Sequence, residues 1–285
     1  MLRLRATNDR SFKIDAQIEG PSVFLDHFAM IRLAREDSAR RAKFVKTIQD
    51  GGDLIFSLTN AVELTQVKGE TYDRLKEFLN LLGPRWYPIE MDAKEVSNRE
   101  VDGKTKADAY LSEKFVRHFC EDRMIDQMRP SAKIFSADNF FDLGWIMDWL
   151  SYQDVAEGKA KLDSELRARV LAHRKQYEND PTYLDRKFPA IPYDPRVSAT
   201  FAYTHTMRLL IEEAKGHHLT ENDGIDFCNA ILGSSLASVA TLDKAWKRRV
   251  ELIPQPHGLA RIYYAPELDE MVDDLEARVQ AHKAS

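Results

Sequence analysis

Three short apolar runs, at residues 21–26, 53–58 and 85–90, are separated by stretches with helical spacing, and this alternation limits the fold more than any other feature of the chain. Runs so short and so continuously apolar read as strands buried on both faces, the condition of a parallel sheet covered by helices. Between the first two, Ala42, Val45 and Ile48 recur at helical spacing, and Gly51 and Gly52 stop that helix. Thr59 is placed to cap the next helix, with Glu63 on its first turns. A further helix, over residues 72–82, ends at Gly83 and Pro84. Strand and helix in this order predict an α/β fold with a mostly parallel central sheet.

The pattern changes after residue 94. Residues 95–195 carry helical periodicities (Tyr110, Leu111, Phe115 and Phe119; later Leu162, Leu166 and Val170) without strand signals, and close on the Pro-rich stretch 188–195. Alternation then resumes, with helices over 200–214 and 221–232, a small strand at 237–241 and a basic helix at 244–250. Leu268, Met271, Val272, Leu275 and Val279 mark a terminal amphipathic helix. The expected organisation is a discontinuous α/β domain, residues 1–94 and 196–285, interrupted by a helical insertion at 95–195.

A hydrophobic content of 44% over 285 residues is ample for such a core. The net charge of -5 argues against nucleic-acid binding over the whole surface and leaves local basic patches open. Cys120 and Cys228 stand far apart, which points to two buried thiols rather than a disulfide framework or a zinc site. The most apolar run, residues 140–150, is short and interrupted by acids, and the opening residues Met1 to Arg5 lack the apolar stretch of a secretory signal. A cytoplasmic protein without membrane attachment is expected.

Because the chain has 46 acids, position along the fold matters more than presence. Asp26 ends the first apolar run, and the carboxyl ends of parallel strands face the crevice where ligands bind. The plainer role for Asp26 is a helix N-cap. Glu63 lies one turn into a helix that begins at the carboxyl end of the next strand and can reach the same crevice, or can serve as an acid favoured by the helix dipole. In the segment 222–246, Asp226 opens a helix, the helix feeds the strand at 237–241, and Asp243 follows Thr241 at that strand's end. Asp223 lies one turn before Asp226 and competes with it for the cleft; the apolar helix after Asp226 and its distance to Asp243 favour Asp226.

These segments resemble the PIN-domain family of metal-dependent ribonucleases. Val23-Phe24-Leu25-Asp26 is similar to that family's opening strand and Asp, and Thr59-Asn60-Ala61-Val62-Glu63-Leu64 to its helix-borne Glu. The later pair, Asp226 and Asp243 around a short apolar strand, is similar to its C-terminal half. The resemblance covers about residues 21–91 and 197–263 and says nothing of the segment between. It implies a PIN-like three-layer α/β/α fold with a helical insertion, and hydrolysis of phosphodiester bonds at Asp26, Glu63, Asp226 and Asp243. Clustered carboxylates repel one another unless a hard cation neutralises them, so Mg²⁺ or Mn²⁺ is the expected cofactor. Asp26 and Asp226 would be its central ligands, Glu63 and Asp243 further or water-mediated ones, and Asp223 an additional candidate. Thr59 and Thr241 could orient water or phosphate, or simply cap turns.

The implied substrate is single-stranded RNA. A polyanion needs cations around such a site, and Arg32, Arg35, Arg40, Arg41 and Lys43, with Lys244, Lys247, Arg248 and Arg249, are candidates beside their plainer role as solvated helix faces. Trp145, Trp149 and Tyr152 could stack bases or fill a core. His217 and His218 read more simply as loop histidines than as metal ligands. Two other readings keep the fold: an inactive scaffold, or a toxin or defence effector restrained by an inhibitory protein partner. The resemblance leaves a homodimer open under any of these readings, and the amphipathic terminal helix would permit one. A phosphatase of another α/β fold would commonly need Asp-x-Asp at the first strand, where this chain has Asp26-His27-Phe28.

Overall fold

The computed structural model describes residues 2–6, 12–36, 38–113, 116, 143–144, 147, 155–213, 219–220 and 222–285. An antiparallel hairpin of β1 (Leu2–Ala6) and β2 (Phe12–Ala16) comes first. The chain then alternates through β3 (Ser22–Phe24), α1 (His27–Arg35), α2 (Ala39–Gln49), β4 (Asp53–Ser57), α3 (Leu58–Thr65), α4 (Glu70–Leu81) and β5 (Trp86–Ile89). Helices α5 (Ala93–Val101), α6 (Lys106–Tyr110), α7 (Val155–Asn179) and α8 (Tyr183–Lys187) follow. The last part runs α9 (Ser198–Glu212), α10 (Asp223–Leu236), β6 (Val239–Thr241), α11 (Lys244–Glu251), β7 (Arg261–Tyr263) and α12 (Leu268–Ala284).

Among the described residues the main sheet has five strands, all parallel, in the order β5-β4-β3-β6-β7. Val23 pairs with Leu54 on one side and with Val239 on the other. The period-2 alternation of the strands sorts their side chains into two cores. Val23, Leu54, Phe56, Trp86 and Val239 pack with α1, α2, α4 and α12. Phe24, Ile55, Tyr87, Ile89, Ala240 and Ile262 pack with helices on the opposite face, including α9, α10 and α11. Each fully buried side chain of this size stabilises the fold by about 1.5–3 kcal/mol. The sheet is thus covered by helices on both faces, the α/β arrangement expected from the strand runs.

Local chemistry sets the element ends. Ser38 caps α2 by accepting the Arg41 N–H, and Gly51, at φ 135°, turns the chain from α2 toward β4. Ser57, not Thr59, caps α3: the Ser57 hydroxyl accepts the Asn60 N–H while the Asn60 side chain accepts the Ser57 N–H. The helix therefore starts two residues earlier than the Thr59 assignment implies, because β4 ends at Ser57 and its hydroxyl reaches forward to the Asn60 N–H. Between residues 95 and 195 the described elements are helices, and residues 189–194 are irregular. Helix α5 packs on α9, and α7 packs on α9, α10 and α3. Cys228 is buried in the core, its thiol pushed up to about 12 by desolvation. No helix among the described residues is long and apolar enough to cross a membrane. Cys120, Phe115, Phe119, Trp145, Trp149, Tyr152, His217 and His218 lie outside the described residues.

Candidate active site

Strand order reverses between β3 and β6, since β4 and β5 extend the sheet to one side and β6 and β7 to the other. A crevice opens at such a switch point beyond the carboxyl ends of the strands. Here it is a cleft of about 220 Å³ lined by Asp26, Glu63, Asp226 and Asp243, with His27, Phe28, Asn222, Asn229, Leu242 and Trp246 completing the wall.

Each acid reaches the cleft by a simple local device. Asp26 follows β3 and caps α1, its Oδ1 accepting the Ala29 N–H at 2.9 Å. Asp243 follows β6 in the same way and caps α11, its Oδ1 accepting the Trp246 N–H at 2.8 Å. The cap role and the cleft position coincide in both, because a helix N-terminus at a strand's carboxyl end points its capping residue at the crevice. Thr241 ties the two strand ends together: its hydroxyl accepts the Asp26 N–H at 2.8 Å and donates to Asp26 Oδ1 at 3.1 Å. Glu63 comes from α3, and its Oε2 lies 3.3 Å from His27 Nδ1. Asp226 projects from the first turn of α10.

Asp223, the competitor of Asp226, is not brought into the cleft. Its buried carboxylate turns back to accept the Thr220 N–H, closing the turn before α10. The N-terminus of α10 is capped from another element, with Asp163 of α7 accepting the Ile225 N–H at 3.0 Å. Thr59 and Asn60 are also accounted for: the Thr59 hydroxyl donates to Asn229 Oδ1 at 2.9 Å, and the Asn60 amide donates to the Leu25 carbonyl.

The acids feel one another. Asp226 is pushed up to about 7 by burial and by the charges of Asp243, Glu63 and Asp223. Asp26 is raised by burial, against the opposing bonds from Ala29 and Thr241. Burial draws the His27 imidazole down, but its close contact with Glu63 and the other surrounding carboxylates outweigh that, and the net shift is upward.

The donor set fits a hard divalent cation in kind: four carboxylates, oxygen throughout, with repulsion that a cation would relieve. The two bonds to the Asp26 side chain and the cap bond to Asp243 all fall on Oδ1. Among the described residues, no three His, Cys, Asp or Glu side chains are already gathered into a ready-made cation site.

The basic residues named from the sequence are mostly engaged elsewhere. Arg41 is buried over Phe78 and bonds to Glu77, and Arg249 is buried against Trp246 and paired with Glu213. Arg40 and Lys43 pair with Asp269 and Asp273 of α12, Arg32 with Glu36, and Lys247 with Glu267. They join the terminal helix and the outer helices to the domain instead of forming a cationic rim. Lys244 and Arg248 are exposed. His27, Asn229 and the exposed ring of Phe28, missed in the sequence, line the cleft; their signal was proximity to an acid, Asn229 lying one helical turn after Asp226. Compared with known family models, curated proteins and solved structures, the chain matches none.

Proposed function

We propose that the protein is a divalent-metal-dependent nuclease of PIN-like type that hydrolyses phosphodiester bonds of single-stranded RNA. One observation carries this reading: Asp26, Glu63, Asp226 and Asp243, drawn from four separate parts of the chain, line a single cleft at the switch point of a parallel sheet. Four acids that repel one another at a ligand-binding position are costly unless charge compensation is their use.

Asp26 and Asp226 are assigned as the central holders of Mg²⁺ or Mn²⁺, with Glu63 and Asp243 as further or water-mediated ones. When bound, such an ion supplies Lewis-acid polarisation of the phosphodiester and compensates charge on the leaving oxygen. The chain's own residues shape the site. Thr241 fixes Asp26, His27 fixes Glu63, and the two capping interactions hold Asp26 and Asp243 at the strand ends. Leu242 and Trp246 provide an apolar wall, and Phe28, 61% exposed at the cleft, offers a face on which an unpaired base can stack.

The test is cleavage of a mixed pool of single-stranded RNA and DNA with Mn²⁺, Mg²⁺ or EDTA, comparing the native chain with Asp26→Asn and Asp226→Asn. Metal-dependent cleavage of RNA, lost in both folded variants, supports the assignment. Unchanged cleavage by a folded Asp26→Asn variant would sink it, and no cleavage under any condition would favour a binding protein over an enzyme.

A further inference from the structure

An anionic substrate entering a cleft of four carboxylates needs a donor inside it, yet most cations named from the sequence are tied to acids elsewhere. His27 is engaged with Glu63, and Asn222 is exposed at the mouth. Asn229 is different: it is 5% exposed, lines the cleft, and stands one turn after Asp226 on α10.

Its orientation is fixed. The Thr59 hydroxyl, itself buried on α3, donates to Asn229 Oδ1 at 2.9 Å, and Thr59 Oγ1 sits 2.5 Å from Ser57 Oγ in the α3 cap. With its oxygen held by α3, the carboxamide has its NH₂ end for the cleft. The reverse orientation would set a carbonyl oxygen toward carboxylates, which repel it. We propose that the Asn229 NH₂ donates to a non-bridging phosphate oxygen of the substrate, and that Thr59 is its positioning residue. This rests on the nuclease reading and adds a neutral contact by which the site holds the scissile group. A neutral donor suits the place, since it recognises phosphate without neutralising the acids themselves.

The experiment compares the native chain, Asn229→Ala and Thr59→Val on single-stranded RNA and on the two phosphorothioate diastereomers at the cleaved linkage. Sulfur accepts a hydrogen bond poorly, so a substrate lacking the recognised oxygen reports that bond directly. Asn229→Ala is expected to lower kcat/KM on the oxygen substrate by about 10- to 100-fold, the loss of one hydrogen bond to a charged group. It should also abolish the native chain's discrimination against one diastereomer while leaving its response to the other. Thr59→Val, which keeps Asn229 and loosens it, should reduce the same discrimination, and it decides the matter if Asn229→Ala does not fold. Full retention of both diastereomer effects in the folded variants overturns the proposal while the nuclease reading stands. Failure of the native chain to cleave either substrate overturns both.

Discussion

Asp26 and Thr241, 215 positions apart, share two hydrogen bonds across the seam between β3 and β6, one to the Asp26 backbone N–H and one to its carboxylate. A single hydroxyl thus fixes both the strand end and the acid it presents. Thr241→Val keeps the shape and removes both bonds, leaving a part-buried N–H unsatisfied. The variant should lose about 1–3 kcal/mol of stability in urea unfolding. Cleavage should fall as well, and a variant as stable as the native chain would show that the seam does not depend on this hydroxyl.

Asp26→Asn separates the capping role of that residue from its charge. Asn caps helices about as well as Asp, and its side-chain oxygen can still accept the Ala29 N–H and the Thr241 hydroxyl. Stability should therefore stay within about 1 kcal/mol of native while cleavage disappears. Loss of folding together with loss of activity would mean that the carboxylate's charge is structural.

Gly233 tests how closely α10 must approach the sheet. A Cβ there would lie 2.6 Å from Phe24 Cδ1, a buried ring on β3 that has no room to yield. Alanine normally favours a helix interior over glycine by about 1 kcal/mol. Overpacking at this contact should outweigh that gain, so Gly233→Ala is expected to destabilise the protein by about 1–3 kcal/mol in thermal or urea unfolding. It should also impair cleavage, since α10 carries Asp226 and Asn229.

What the sequence disclosed followed from how local each signal was. Buried parallel strands are apolar on both faces, so β3, β4 and β5 stood out, and the acids at their ends could be placed with them. The hairpin β1-β2 carries alternating charge and no apolar run, and β7, an edge strand that opens on the exposed Arg261, presents only Ile262 and Tyr263 to the core. The cap of α3 fell to Ser57 because two hydroxyls two residues apart look equivalent until the strand end is known. Charge was legible but pairing was not: nothing near Lys43 announces Asp273, 230 positions away. Asn229 stands in an otherwise apolar helix, and its spacing from Asp226 puts it on the same face.

Phe28 checks the proposed preference for unpaired nucleic acid. Its ring is exposed at the cleft and lies tilted over His27, with centroids 4.2 Å apart. Stacking a base on such a ring contributes about 1–3 kcal/mol. Phe28→Ala should therefore weaken binding of a single-stranded RNA by about 5- to 100-fold in fluorescence anisotropy, with unfolding unchanged within about 0.5 kcal/mol. Equal binding by the variant would remove Phe28 from the site.

The pH dependence of stability follows from Asp226. Its folded-state value is about 7 against an ordinary 3.8, so the folded protein holds this proton more tightly than the unfolded chain. The stabilisation is fully present below 3.8 and is lost as pH rises to about 7. His27 acts in the same sense: its value is raised, so its contribution is present below 6.5 and lost as pH rises through the raised value. Without metal, the native chain should accordingly unfold at lower urea at pH 8 than at pH 5.5. Asp226→Asn should gain about 1–3 kcal/mol at pH 8, after allowance for the water that reaches this half-buried group, and lose most of that difference with pH. If the cleft holds Mg²⁺ or Mn²⁺, either ion added at pH 8 should raise the native midpoint more than it does at pH 5.5, because a cation competes with the proton for the same carboxylates. Asp226→Asn should blunt that response. A midpoint indifferent to both ions at pH 8 would count against metal binding at these four acids, whatever the outcome of the cleavage assay.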